Sequence, residues 1–194
     1  MSQYLRRVLC AVLLLVSPAQ FSYASQAAKT QPTVQSWYAR GQLALKRHDL
    51  AEAHRDFEQA LQLAPKNAVF NNAFGETLLL EGDSPDAIIY FRQAIDNNPR
   101  FLQAHLNLGQ ILGRTGSIAE AKTVYETAVK LAPADVEAHR GLGRMLSLSA
   151  ETDQAILQYQ RAIELSPLRA DLQDEYGSLL AQKSDYEGAA KRFQ

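Results

Sequence analysis

The sequence predicts an all-α fold, a solenoid of antiparallel helix pairs in about five repeats with the last one incomplete. Three observations carry this. From Val34 onward the chain can be laid on itself at a fixed shift of 34 residues without insertion, and such a period marks a stacked array rather than one globular core. Within each unit, two segments of roughly 14 residues space apolar side chains three and four apart, as at Ala121, Val124, Tyr125 and Ala128, which puts one stripe on a helix. Between those segments stand turn residues. Gly82-Asp83-Ser84-Pro85 and Thr115-Gly116-Ser117 supply a left-handed helix end and then an N-cap, with Pro85 in the first turn.

Taken from the N-terminus, residues 1–24 read as a secretory signal. Arg6 and Arg7 precede an unbroken apolar run from Val8 to Val16, and Ser17 and Pro18 end it. That run is too short to cross a hydrocarbon layer of about 30 Å. Ser22 and Ala24 fit a cleavage pocket with a cut before Ser25, and a cut after Ala19 is the alternative. The expected location is periplasmic or secreted, with the membrane met only through the signal during export. Cleavage would remove Cys10, the one cysteine, so the exported chain would hold no thiol for catalysis or disulfides. Residues 25–33 (SQAAKTQPT) are polar and aperiodic and read as a short tether.

The array then runs over 34–194 as units 34–67, 68–101, 102–135, 136–169 and a partial 170–194. Glycine recurs at Gly41, Gly75, Gly109, Gly143 and Gly177, and alanine at Ala53, Ala87, Ala121, Ala155 and Ala189. Small residues at fixed helical places let two helices approach closely, which offsets the cost of up to about 1 kcal/mol for a mid-helix glycine. An aromatic follows each of those alanines, at Phe57, Phe91, Tyr125, Tyr159 and Phe193, to fill the gap between paired helices. Pro65, Pro99, Pro133 and Pro167 close the complete units. The fifth unit stops at Gln194, leaving Tyr186, Ala189, Ala190 and Phe193 partly bare. Either a longer array continues beyond this sequence or that edge meets a partner or a second copy of the chain.

These recurring residues resemble the tetratricopeptide repeat (TPR), with Trp, Leu-Gly and Tyr in one helix and Ala, Phe, Ala and Pro in the next. Trp37 stands where that motif has its own tryptophan; Asn71, His105, His139 and Gln173 replace it in later units. Arg40 occupies the leucine site, so the first unit departs most, as an end unit does. The resemblance implies a right-handed superhelix whose first helices line a concave groove through the second, fifth, sixth, ninth and thirteenth positions of each unit. On that pattern the groove grades from Tyr38, through amides, to Arg114, Arg140 and Arg144, and then to Asp171, Asp174 and Glu175. The two-carboxylate clamp of some TPR proteins is absent, because its positions hold Tyr38, Gln42, Ala73, Gln103 and Asn107 in one register and Asn72, Glu76, Asn107, Glu137 and Gly141 in the other. The asparagine ladder of a TPR glycosyltransferase survives only at Asn107.

Composition and motifs point away from chemistry. Twenty Lys+Arg against twenty-one Asp+Glu leave a formal charge of -1, no excess with which to hold a nucleic acid. There is no GxxxxGK[ST], HExxH or GxSxG. His105 and His139 sit one repeat apart, roughly 10 Å from packing distances, too far to share a zinc; both read as fillers of the tryptophan site. His48 and His54, near Asp49 and Glu52, read as a solvated cluster. No catalytic residue, cofactor or metal is expected. The expected activity is that of a non-enzymatic scaffold binding an extended protein segment in the groove. In that reading Asn72, Asn107 and Gln110 bond the segment's backbone, Arg140 and Arg144 meet an acidic side chain or terminus, and Tyr38, Leu106 and Arg114 line the way. The alternative is the substrate-selecting region of a larger enzyme, for example a glycosyltransferase.

Overall fold

The computed structural model describes residues 32–183. The secretory signal, nearly all of the tether, and the fifth unit's Tyr186, Ala189, Ala190 and Phe193 lie outside the described residues. Among the described residues there are nine helices and no strand: α1 Val34–Lys46, α2 Leu50–Leu63, α3 Ala68–Glu81, α4 Ser84–Asn97, α5 Leu102–Arg114, α6 Ile118–Leu131, α7 Val136–Leu148, α8 Thr152–Leu165 and α9 Ala170–Gln182. The odd-numbered helices begin at the first position of each unit and the even-numbered ones at the seventeenth, so one period governs the whole array. None is long and apolar enough to cross a membrane.

Each helix packs on the next, giving four antiparallel pairs and a ninth helix. This is the all-α solenoid that the repeat predicts. The small alanines are fully buried, Ala53, Ala87, Ala121 and Ala155 among them, and the aromatics Phe57 and Phe91 lie beside them with no exposure. The recurring glycines face those rings. A Cβ added at Gly41 would stand 2.7 Å from the Phe57 ring, and at Gly75 2.8 Å from Phe91. Any larger residue there would push a helix off its partner.

Turns close by capping. Thr33, Asp49, Asn67, Asp83 and Asp135 each accept a hydrogen bond from a backbone N–H of the helix they precede, which satisfies donors otherwise left bare. Ser117 takes the N-cap position of α6 but its side chain makes no cap bond, so its expected role is filled only by backbone. Gly82 and Gly116 have φ of +92° and +87°. The equivalent positions of the first and fourth units carry His48 and Ala150, both at φ 59°. All four are left-handed helix ends, and two of them lack the residue that makes such an end inexpensive.

The replaced tryptophan site has a function of its own. Asn71 Nδ2 donates to Pro65 O at 2.9 Å, His105 Nε2 to Pro99 O at 2.9 Å, His139 Nε2 to Pro133 O at 3.1 Å and Gln173 Nε2 to Pro167 O at 3.4 Å. A carbonyl only accepts, so Nε2 carries the proton in both histidines. Each polar side chain thus ties a repeat to the proline carbonyl that ends the one before it. At the first unit the residue six places back is Gln31 rather than a proline, and Trp37 lies under the Arg40 guanidinium, 4.7 Å from its ring centroid. Arg40 in turn pairs through Nε with Asp56 at 3.2 Å, a carboxylate only 2% exposed. Burial raises the Asp56 pKa, and Arg40 opposes that rise.

Candidate functional site

The concave face is built by α1, α3, α5, α7 and α9, and the fifth position of one unit meets the sixth of the next. Between the second and third units this contact is a closed amide network. Asn107 Nδ2 donates to Asn72 Oδ1 at 3.0 Å and to Glu76 Oε1 at 2.8 Å, while Asn72 Nδ2 donates to the same Glu76 oxygen at 2.9 Å. Gln103 Nε2 completes it by donating to Asn107 Oδ1 at 3.0 Å. Asn72 and Asn107, expected to bond a ligand backbone, bond each other and their neighbours in this structure.

Between the fourth and fifth units the same contact is ionic. Arg140 holds Glu175 through Nη2 at 2.5 Å and Nε at 3.1 Å, and its Nη1 lies 3.2 Å from Asp171 and 3.5 Å from Glu137. Arg169 bonds both Glu137 and Asp171, and that pairing, with help from Arg140, holds the Asp171 carboxyl below its usual range. The expected acidic ligand for Arg140 is thus supplied from within the chain. Arg144 differs: it is exposed and forms no ion pair among the described residues.

Between the third and fourth units the contact is missing. Leu106 faces Gly141, which has no side chain to offer, and a cleft of about 270 Å³ opens there. Its walls include Leu106, Asn107, Gln110, Arg140 and Arg144, and its floor is Tyr125. The phenol runs between two glycines: a Cβ at Gly109 would stand 2.8 Å from Cε2, and one at Gly141 would stand 2.2 Å from Cε1. Phe57 and Phe91 have glycine at one side only, since Ala73 and Asn107 occupy the sixth position of the next unit. Burial pushes the Tyr125 pKa up to about 12 against the pull of Arg144, so the hydroxyl keeps its proton at neutral pH and can donate it in a hydrogen bond.

A second concave cleft of about 380 Å³ lies one unit further on, with Arg144, Tyr159, Asp174, Glu175 and Ser178 among its walls. Burial and the neighbouring Glu175 carboxylate raise the Tyr159 pKa strongly. Of the remaining sequence-predicted residues, Gln110 and Leu106 line the first cleft, but Arg114, in the last turn of α5, is not among its walls. Tyr38 lies two units away, its ring 4.8 Å from Phe70 and its hydroxyl accepting from Gln42 at 2.8 Å. It belongs to the packing of the first junction. Sequence reading missed Tyr125 as a groove residue, because its helix α6 is not one that lines the groove. The available signal was Gly141, the one glycine at the sixth position.

No group of three or more His, Asp or Glu side chains among the described residues is placed to hold a metal ion. His54 Nδ1 lies 2.9 Å from Glu81, and its ring meets the edge of Phe74.

Two tetratricopeptide-repeat family models match, over residues 38–100 and 78–146. No curated protein matches. Among solved structures, MamA from Desulfovibrio magneticus RS-1 superposes with a TM-score of 0.77 at 24% identity, covering 82% of this chain and 90% of that one. YrrB, described as a TPR protein with an unusual peptide-binding site, gives 0.73 at 20% identity, covering 88% of each chain. PilF from Pseudomonas aeruginosa gives 0.74 at 20% identity, covering 82% of this chain and 72% of that one. At such identities these likenesses concern the fold.

Proposed function

We propose that this chain of tetratricopeptide repeats is a non-enzymatic scaffold of the bacterial cell envelope that holds an extended segment of a partner protein in its concave groove. The observation that carries the proposal is the junction between the third and fourth units. Here alone among the described junctions a glycine leaves the groove open over a tyrosine hydroxyl, with the unpaired Arg144 beside it. A ligand needs unused hydrogen-bonding groups and room, and at the junctions on either side the fifth- and sixth-position polar side chains bond one another. YrrB, a protein of similar fold, is described as having a peptide-binding site, which supports peptide binding as the use of such an array. Envelope location rests on the reading of residues 1–24 as an export signal.

The test is site-specific photo-crosslinking in cells. A photoreactive residue at Gln110 should capture a partner that one at the exposed, convex Leu157 does not, and Arg144→Glu should abolish the capture. Equal capture from both faces, or capture indifferent to Arg144, would remove the groove from the mechanism. Fractionation of the same cells, with the captured band in the cytoplasm, would remove the envelope.

A further inference from the structure

The two concave clefts are the same place one repeat apart; they share Arg144 and differ in charge at the fifth and sixth positions. Tyr125 and Tyr159 are equivalent, as are Arg140 and Asp174, and Gly141 and Glu175. In the first cleft the sixth position contributes no carboxylate, and Arg144 brings a cation with no ion-pair partner among the described residues. A carboxylate there would meet a charged guanidinium and the protonated Tyr125 hydroxyl, both donors. In the second cleft, which Arg144 also borders, the fifth and sixth positions bring carboxylates. Glu175 is engaged by Arg140, but Asp174 is exposed and forms no ion pair among the described residues. An ammonium is the group that fits there.

Spacing then restricts the ligand. Neighbouring helices pack with axes about 8–10 Å apart, so equivalent clefts in successive units are separated by about that distance. A β-strand presents same-side residues every second position, at about 6.7 Å or 13 Å, and fits poorly. A polyproline II segment has three residues per turn and rises about 3.1 Å per residue, so side chains three apart point the same way at about 9 Å. We propose, resting on the groove-binding reading above, that the preferred partner is a polyproline II segment of another protein. It carries a carboxylate and an amine three residues apart, with the carboxylate at Tyr125 and Arg144 and the amine at Asp174.

The experiment uses the full chain and blocked proline-rich peptides carrying one Glu and one Lys. Both orders are synthesised, since either chain direction places the charges, together with a Gln/Gln peptide and peptides with the charges two apart. One of the two orders at spacing three should bind about tenfold more tightly than the neutral and the respaced peptides, as two partly exposed charge pairs allow. Arg144→Glu should lose that advantage and regain it with a peptide whose Glu is replaced by Lys. Asp174→Lys should do the same when the peptide's Lys is replaced by Glu. Both side chains are exposed, and circular dichroism of each variant checks that the fold is intact. Equal binding of the neutral peptide, indifference to spacing, or no binding by either order would overturn the proposal. If crosslinking from Gln110 persists under any of those results, the groove reading stands and only this charge-and-spacing rule falls.

Discussion

If the cleft exists because residue 141 has no side chain, Gly141→Ala should behave unlike an ordinary glycine replacement in a helix. Alanine in the interior of α7 is favoured over glycine by about 1 kcal/mol from backbone entropy alone. Against this, the new Cβ would stand 2.2 Å from Tyr125 Cε1 and 2.3 Å from Cζ. The ring cannot step aside, because its other edge already lies where a Cβ at Gly109 would be 2.8 Å away. Overpacking of this kind costs about 1–3 kcal/mol, so the net effect is a loss of about 0–2 kcal/mol. In a Tyr125→Leu background the obstructing ring is gone, and the same substitution should stabilise by about 1 kcal/mol. The coupling between the two sites is therefore about 1–3 kcal/mol. Urea denaturation of the four proteins measures it, and hydrogen exchange over α6 and α7 locates it, since repeats in an array report largely on their own neighbours. A Gly141→Ala substitution that stabilises both backgrounds equally would refute the account of how the cleft is made.

Other consequences can be checked with similar tools. Ala150→Gly should raise stability by about 1 kcal/mol, because Ala150 holds a left-handed conformation that glycine adopts freely; Gly116→Ala, with no atom within 4 Å of the added Cβ, should lose a similar amount to backbone strain alone, both read by thermal denaturation. Arg40→Ala leaves the Asp56 carboxylate buried without its cation and should cost about 3 kcal/mol; Trp37, the one tryptophan, reports the loss of its cation by a shift in fluorescence. The acid limb of stability should respond in opposite senses to two substitutions. The Asp171 pKa is lowered on folding, so its contribution is present above about pH 3.9 and disappears as pH falls through the lowered value; Asp171→Asn should flatten that loss. The Asp56 pKa is raised, so between about 3.9 and its folded value the native state binds the extra proton and stability falls as pH rises; Asp56→Asn should remove that fall. Urea midpoints measured from pH 3 to 7 distinguish the two signs.

What could be read from sequence was whatever repeats with the period itself. The glycine–aromatic contacts, the buried alanines and the helix starts all recur at one interval, and each has a local cause in the size or conformation of a single residue type. Leu106, Gln110, Arg140 and Arg144 come together along one cleft for the same reason. Their partners were not legible, because the side-chain contact between units joins positions one period plus one residue apart: Asn72 with Asn107, and Arg140 with Glu175. A comparison of equivalent positions never sets those pairs side by side. Asn72 and Arg140 therefore looked free, when each is held by the following unit. The histidines show the converse. Their place at the tryptophan site was evident, but the bond to a proline carbonyl six residues back needed the turn geometry that brings Pro99 and Pro133 over the ring.

The same offset explains why stability and recognition compete at one set of positions. A fifth-position side chain that finds a partner in the next unit ties two repeats together and is removed from ligand binding, as the Asn72 amide and the Arg140 guanidinium are. One that finds only Gly141 ties nothing and leaves a cleft. An array joined in this way everywhere would be firm and featureless on its concave face. The third and fourth units are free to leave their junction open on the concave side because the Tyr125 ring, lodged between Gly109 and Gly141, supplies apolar contact to both α5 and α7 from below. The ring that fills the gap between units is also the floor of the candidate site, so repacking that junction for stability and altering what it binds are the same operation.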